Sequence, residues 1–169
     1  AARDFNSSRG VCHLNMEQVH VSDLQKCTTT RRSAVDGGGV AVWGDSHAEA
    51  MIPGVATMPA LAGGQLLQLT KTSCPPLLEA VVVRGGKAYL ECTQFNTEVM
   101  RLLRDRHDIT TVILSARWPV YALESGFGVP ETHKGVPTYA LSHEASTSTS
   151  QTKSIDEMES ALGLTIDAL

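Results

Sequence analysis

The chain has 169 residues, a length that suits one domain and is enough to bury a hydrophobic core without a metal ion. Its formal net charge is -4 and its Lys and Arg residues are scattered, which excludes the basic surface that nucleic-acid binding requires. With 42% hydrophobic residues and no run near the roughly 20 apolar residues of a membrane span, the composition is that of a globular domain.

The first part of the chain predicts a loop, a strand and a helix. Residues 1–36 are polar and weakly periodic, so we expect a loop-rich lead-in. The continuous apolar run over 40–44 is typical of a central strand that is covered on both faces. A helical pattern follows over 46–61, and Pro53 and Pro59 are expected to kink or end that helix.

The next segments complete a predicted core over 37–118. Hydrophobic periodicity and the turn residues Gly85-Gly86 indicate a strand, a hairpin, an amphipathic helix and a further strand. Because strands alternate with helices, we expect an α/β fold whose three main strands are parallel. The predicted ranges are 66–70 for the second strand, 80–84 and 87–90 for the hairpin, 93–107 for the helix and 111–115 for the third strand.

The last part of the chain predicts a loop and a helix. Residues 119–153 are rich in Gly, Pro, Ser and Thr, which favours a long loop. A final helix is predicted over 154–169, capped by Ser154 with Glu157 three positions later. Its apolar residues are Ile155, Met158, Leu162 and Ile166.

The four cysteines bear on the compartment. None of them has the C-x-x-C spacing of a zinc or redox site, and each lies in a polar or turn-rich context. Four cysteines allow three pairings, among which the sequence does not choose, and four free thiols in a cytosolic protein are the alternative. Since buried free cysteines usually lie within apolar runs, we favour two short-range disulfides, Cys12–Cys27 and Cys74–Cys92, and an oxidising compartment.

The segment that carries chemistry is Gly44-Asp45-Ser46, directly after the first predicted strand. Ligands of open α/β sheets bind beyond the carboxyl ends of the strands, and a helix that begins there offers free N–H groups. A serine at that turn therefore exposes its hydroxyl beside donors for an oxyanion. The alternative is an ordinary turn in which Asp45 or Ser46 caps a helix.

The segment 43–48, Trp-Gly-Asp-Ser-His-Ala, resembles the first block of the SGNH (GDSL-like) hydrolases. More narrowly, the chain resembles the SGNH domain fused to bacterial membrane O-acyltransferases of the acyltransferase-3 type, which modify surface polysaccharides. Further matching segments are 11–15, 73–77, 92–96 and 112–118. The resemblance implies one SGNH domain over 1–169, with a flavodoxin-like three-layer fold.

The resemblance also assigns residues to functions. Ser46 matches the nucleophile, and its own N–H matches one oxyanion donor. A second donor, a glycine in many relatives, falls near Thr72 and Ser73. The third-block asparagine is absent, and Arg117 stands near its place, either as an oxyanion donor or in a structural salt bridge.

Three neighbours of these residues are not expected to take part in the chemistry. Asp45 and His47 flank the nucleophile, but neither is expected to be the general base. Trp118 is expected either to pack against other residues of the domain or to line one side of the active-site cleft.

The catalytic base is missing from the matched pattern. The family places Asp and His in an Asp-x-x-His block, and no Asp of this sequence has His three positions later. We therefore interpret the chain as a truncated or incompletely observed domain. His133 and His143 lie in the predicted loop, where a surface position is the simpler interpretation.

The function implied by the resemblance is serine-dependent O-acyl transfer, of an acetyl group, or ester hydrolysis on a cell-surface polysaccharide. The expected substrate is a glycan or acyl ester, the partner a covalently linked membrane acyltransferase domain, and the location the periplasmic face of the inner membrane. We expect no cofactor, metal or nucleic acid, since no nucleotide-binding glycine motif or metal-ligand spacing is present. The alternative is a non-catalytic glycan-binding or scaffold module that keeps the fold.

Overall fold

The computed structural model describes residues 11–30, 38–58, 64–123, 139–142 and 151–169. Its main sheet has four strands in the order β1-β3-β2-β6, and a smaller sheet has three in the order β5-β4-β7. The strands are β1 Thr28–Thr30, β2 Gly39–Gly44, β3 Gln65–Thr70, β4 Val81–Arg84, β5 Lys87–Ala88, β6 Ile109–Ser115 and β7 Tyr139–Ser142. The helices are α1 Ser46–Val55, α2 Leu90–Asp105, α3 Trp118–Leu123 and α4 Gln151–Ala168, with a 3-10 helix at Val21–Cys27.

The three predicted main strands form a parallel sheet, which confirms the α/β fold class. β2 pairs in parallel with β3 on one side and with β6 on the other. The order of these strands, second-first-third along the chain, is the order with which flavodoxin-like sheets begin. Ser46 follows β2 directly and therefore lies at the carboxyl edge of the sheet, as predicted.

The main sheet lies between two layers because β2 is apolar on both faces. Val40 and Val42 pack under α1 together with Ile52. The alternate residues Ala41 and Trp43 face the larger core cluster, to which α2 contributes. α1 ends two residues after Pro53, in agreement with the expected effect of that proline.

An asparagine lies at the centre of the buried face of α2. The Asn96 side chain is 1% exposed and donates to the carbonyl oxygens of Pro75 and Leu77. Its own oxygen accepts the indole N–H of Trp43 at 3.1 Å. Because every polar atom of this amide is paired, Asn96 is tolerated in the core, where it holds the 75–77 segment against the strand that leads to Ser46.

Both predicted disulfides, Cys12–Cys27 and Cys74–Cys92, are present, with sequence separations of 15 and 18. Replacing both cysteines of either pair by alanine is expected to lower the free energy of unfolding by about 3 kcal/mol, because the cross-link no longer restricts the unfolded chain. Urea unfolding of each double variant measures this loss. A loss below about 1 kcal/mol would show that the denatured chain stays compact without the cross-link.

Two segments predicted as loops contain regular structure. Within 1–36, the 3-10 helix leads into β1, which pairs antiparallel with β3. In the segment 119–153, β7 pairs antiparallel with β4, and the start of the segment belongs to α3, which extends from Trp118 to Leu123. These elements are short, and their stability comes from contacts with distant segments, so local periodicity did not indicate them.

The final helix differs from its prediction at the start and on its buried face. α4 begins at Gln151, and Ser154 is fully buried inside it, where its hydroxyl accepts the N–H of Leu141 at 3.3 Å. Among residues 154–168 of α4, whose burial the structure describes, the buried ones are Ser154, Glu157, Ala161 and Thr165, while Ile155 and Ile166 are exposed. The small residues Ser154, Ala161 and Thr165 leave room for the contacts of this face with α3 and β7, which an apolar pattern alone does not indicate. Two of the predicted apolar residues, Met158 and Leu162, are partly buried and pack against the larger core cluster.

Candidate active site

Three chain turns meet at the carboxyl edge of the main sheet. Gly44 at the end of β2 is paired with Thr70 of β3 and with Ser115 of β6. Ser46, Ser73 and Arg117, the three residues assigned to chemistry from the sequence, follow these paired positions by two or three residues. The fold therefore brings their backbones to one edge.

Gly44 allows the first and third turns to approach closely. Its φ is +156°, and a Cβ placed on it would lie 1.7 Å from the carbonyl oxygen of Ser115. That same carbonyl accepts the N–H of Asp45 at 3.3 Å. Glycine is required here because any side chain would collide with backbone.

Asp45 joins the first turn to the third. Its carboxylate is 2% exposed, and Oδ1 accepts the N–H of His47 at 2.8 Å, which caps α1. Oδ2 accepts the backbone N–H of Arg117 and the hydroxyl of Tyr121, each at 2.9 Å. The carboxylate is thus fully engaged in holding three structural elements together and is not placed to act as a base.

Ser46 is the first residue of α1 and is exposed. Its hydroxyl makes no hydrogen bond within the described residues, and its backbone N–H is one of the helix N-terminal groups that lack an intrahelical acceptor. The positive end of the helix dipole lies at the same point. An accessible hydroxyl next to an unpaired donor is the arrangement that nucleophilic attack on an ester requires.

Ser73 has the backbone conformation of a glycine. Its φ is +54°, in the left-handed region that side chains disfavour, and its hydroxyl lies 3.0 Å from the hydroxyl of Tyr139. The N–H groups on either side are used, Thr72 N–H by Leu14 and Cys74 N–H by Lys71, whereas that of Ser73 has no acceptor in the described part of the chain. Ser73 therefore combines a glycine-like backbone conformation with an N–H group that has no acceptor among the described residues.

The family model for SGNH domains fused to AT3 domains matches residues 11–169. The chain is a member of this SGNH family. Comparison with curated proteins finds no match, and comparison with solved structures finds none either. Membership makes the chain a domain of the hydrolase and acyltransferase type, and AT3-fused SGNH domains are linked to a membrane acyltransferase.

In this SGNH domain the third turn differs from the common pattern. The backbone N–H of Arg117 is bound to Asp45, so a contact of this residue with an oxyanion would have to come from its guanidinium. Trp118 is half-buried and packs against the larger core cluster, as expected for a packing residue. Where the third-block asparagine was expected from the resemblance, the chain has Arg117, whose backbone is held by its hydrogen bond to Asp45.

The histidines of the SGNH domain do not bind Ser46 within the described residues. His47 is about half-exposed, with Nδ1 3.6 Å from Asp45. His13, which the sequence did not single out as a site residue, has Nδ1 and Nε2 each 3.0 Å from a threonine hydroxyl, of Thr70 and Thr72. Because both ring nitrogens are occupied, His13 supports the second turn rather than serving as the base. His133 and His143 lie outside the described residues.

Lys71 fixes the lead-in segment to the second turn. It is fully buried, and its ammonium group donates to the carbonyl oxygens of Asn15, Met16 and Gln18. Burial lowers the pKa of Lys71 to about 8, so the side chain is still mostly protonated at pH 7. Sequence reasoning missed this contact, since the only local signal was a lysine at the end of an apolar strand.

No helix within the described ranges combines the length and apolarity that a membrane crossing needs.

Proposed function

We propose that Ser46 is the nucleophile of a serine-dependent O-acyl transfer that moves an acetyl group to or from a cell-surface polysaccharide. The observation that carries the proposal is an exposed serine, Ser46, at the carboxyl edge of the sheet, together with the N–H groups of Ser46 and Ser73, for which the described residues provide no acceptor. They lie on two turns that leave the paired positions Gly44 and Thr70. Two donors near one nucleophile are what a tetrahedral acyl intermediate requires.

In the proposed reaction, Ser46 Oγ attacks the carbonyl carbon of the acyl ester. The new C–O bond forms as the carbonyl π electrons move to oxygen, and the oxyanion is bound by the N–H groups of Ser46 and Ser73. The Arg117 guanidinium is a third donor candidate. A general base takes the Ser46 proton as the bond forms, and collapse of the intermediate breaks the bond to the leaving oxygen, which takes that proton from the base. A sugar hydroxyl or water then attacks the acyl carbon and gives its proton to the base, and the bond to Ser46 Oγ breaks as Oγ takes the proton back.

The proposed location is the periplasmic face of the inner membrane, in covalent linkage to a membrane acyltransferase domain. Two disulfides support an oxidising compartment, because such bonds are rare where thiols are kept reduced. The family description, an SGNH domain fused to AT3 domains, supports the linkage. A polysaccharide hydroxyl is proposed as acceptor because surface glycans are what the related membrane acyltransferases modify.

A glycan-binding module without catalysis is the second candidate. The observation in its favour is the absence of an Asp-x-x-His segment from the 169 residues. The two candidates differ in whether Ser46 is chemically activated, since a binding module needs no reactive serine.

A fluorophosphonate probe tests this directly on the full-length protein. The probe phosphonylates only activated serines, so we expect one adduct per chain, mapped to Ser46 by mass spectrometry, and none in Ser46→Ala. Ser22→Ala, in the 3-10 helix, is the matched control and should label as the wild type does. An adduct on another serine, or no adduct at all, would remove Ser46 as the nucleophile and favour the binding module.

A further inference from the structure

Two tyrosines lie in contact behind the first and second turns. Tyr121 of α3 and Tyr139 of β7 pack edge to face, with ring centroids 5.8 Å apart and an interplanar angle of 82°. This geometry is the favoured one for aromatic pairs and stabilises the contact beyond simple burial. Neither tyrosine belongs to a segment that carries the resemblance.

The hydroxyl of Tyr121 reaches the turn that holds the nucleophile. It donates to Oδ2 of Asp45 at 2.9 Å, and the side chain is 2% exposed. Burial raises the pKa of Tyr121, and the negative charge of Asp45 raises it further. The hydroxyl therefore stays protonated and acts as a permanent donor to the carboxylate that caps α1.

The hydroxyl of Tyr139 reaches the turn that holds the second oxyanion donor. Arg84 donates its Nε–H to the Tyr139 oxygen at 3.0 Å. Because a guanidinium only donates, the tyrosine hydrogen remains available to Ser73 Oγ, which lies 3.0 Å away, and either hydroxyl can be the donor in that bond. The Arg84 guanidinium also lies 5.9 Å from the centre of the same ring.

We propose that Tyr121 and Tyr139 act together as a brace that sets the spacing between the Ser46 turn and the Ser73 turn. Both are positioning residues for the oxyanion donors, and the inference rests on the proposed function of Ser46. One end of the brace holds Asp45, the residue before the nucleophile, and the other holds Ser73. The contact between the rings joins the two ends.

The brace explains how Ser73 keeps an unfavourable backbone. A serine with φ of +54° persists only where its surroundings hold it. The hydrogen bond between the Ser73 hydroxyl and the hydroxyl of Tyr139, which lies on β7 of the smaller sheet, stabilises this conformation. A glycine at this position would need no such stabilising hydrogen bond, because glycine adopts positive φ without steric cost.

The test uses the full-length protein with Tyr121→Phe, Tyr139→Phe and the double variant, which remove hydroxyls and keep both rings. We expect kcat for acetyl-ester turnover to fall about three- to tenfold in each single variant, with KM changed less than twofold. The rate of fluorophosphonate labelling should fall in parallel, since its transition state carries the same oxyanion. The loss in the double variant should be smaller than the product of the single losses, because both act through one brace.

Two comparisons keep the test specific. Thr165→Val in α4 removes another buried hydroxyl, one that accepts the N–H of Leu78, and should lower stability without lowering kcat. In a Ser73→Gly background, Tyr139→Phe should change kcat less than twofold, because the hydroxyl with which Tyr139 interacts has been removed. This comparison remains valid even if Tyr121→Phe fails to fold.

The outcomes separate the brace from the proposed function. If Ser46→Ala is inactive while both tyrosine variants keep kcat within twofold, the brace is overturned and the nucleophile stands. The brace is also overturned if Thr165→Val loses as much kcat as they do, or if Tyr139→Phe is equally costly in the Ser73→Gly background. Full turnover by Ser46→Ala would overturn both.

Discussion

Replacing Ser46 by alanine in the full-length protein is expected to lower kcat for acetyl-ester turnover by about 10⁴-fold or more. The reason is that alanine has no oxygen with which to form the acyl intermediate, while the N–H groups of Ser46 and Ser73 are backbone groups and remain. Residual turnover above the uncatalysed rate should therefore persist at a low level, from oxyanion binding alone. Hydrolysis of p-nitrophenyl acetate measures both values.

The same reasoning extends to the chain of 169 residues on its own. The sequence contains no Asp-x-x-His, and within the described residues no histidine binds the Ser46 hydroxyl. Since a serine without a base is a poor nucleophile, this chain should turn over p-nitrophenyl acetate at little more than background, and Ser46→Ala should cost nothing further. Activity of the short chain close to that of the full-length protein would show that the base lies within it, and His133 and His143 would be the first to mutate.

The main strands could be predicted because their signals are local. β2 is a continuous apolar run bounded by glycine, and β3 follows a glycine with three leucines around the buried Gln68. Each of these patterns is carried by one segment by itself. The hairpin around Gly85 and Gly86 was likewise marked by its turn residues, both of which have positive φ.

β7 and α3 could not be predicted because what stabilises them is distant in the sequence. β7 has four residues and pairs with β4, about 58 positions earlier along the chain. α3 has six residues and lies against β7 and α4. Elements of this length lack a periodicity that can be recognised, and they form only when their partners are already in place.

The residues of the candidate site also divide into those that have a local sequence signal and those that do not. Ser46 could be assigned because a strand, a glycine and a helix start are consecutive in the sequence. The contacts of Asp45 with Arg117 and Tyr121 span 72 and 76 positions, and no local sequence pattern near Arg117 or Tyr121 predicts them. The left-handed backbone of Ser73 was equally hidden, since serine is not a residue that signals positive φ.

The three turns are therefore held in place by contacts with residues that lie far apart in the sequence. Lys71 ties the lead-in to the second turn, Asp45 ties the first turn to the third, and the two tyrosines span the first and second. Three turns on three strands need such cross-links, because each hydrogen-bond ladder ends at the strand and leaves the residues beyond it without a partner. We expect the geometry of the proposed oxyanion site to depend on these contacts as much as on the residues that carry the donors.

Gly44→Ala is expected to have the largest effect on stability of any single methyl addition that we consider, lowering the free energy of unfolding by at least about 3 kcal/mol. A Cβ at this position would lie 1.7 Å from the carbonyl oxygen of Ser115, and the obstacle is backbone, which has no rotamer by which to move aside. To make room, the ends of β2 and β6 have to separate. That separation breaks the bond from Asp45 N–H to the Ser115 carbonyl.

The matched control is Gly54→Ala in α1, where the added Cβ would have no atom within 4 Å other than its chain neighbours and the backbone of its own helix. Alanine is the better helix former, so this variant should be unchanged or about 0.5–1 kcal/mol more stable in urea unfolding. A loss below about 1 kcal/mol in Gly44→Ala would mean that the two strand ends part easily. The carboxyl edge would then be pliable, and the close approach at Gly44 would not be what fixes the Ser46 turn. A large loss confined to Gly44→Ala would instead mean that the turn is rigid because β2 and β6 meet where no side chain fits.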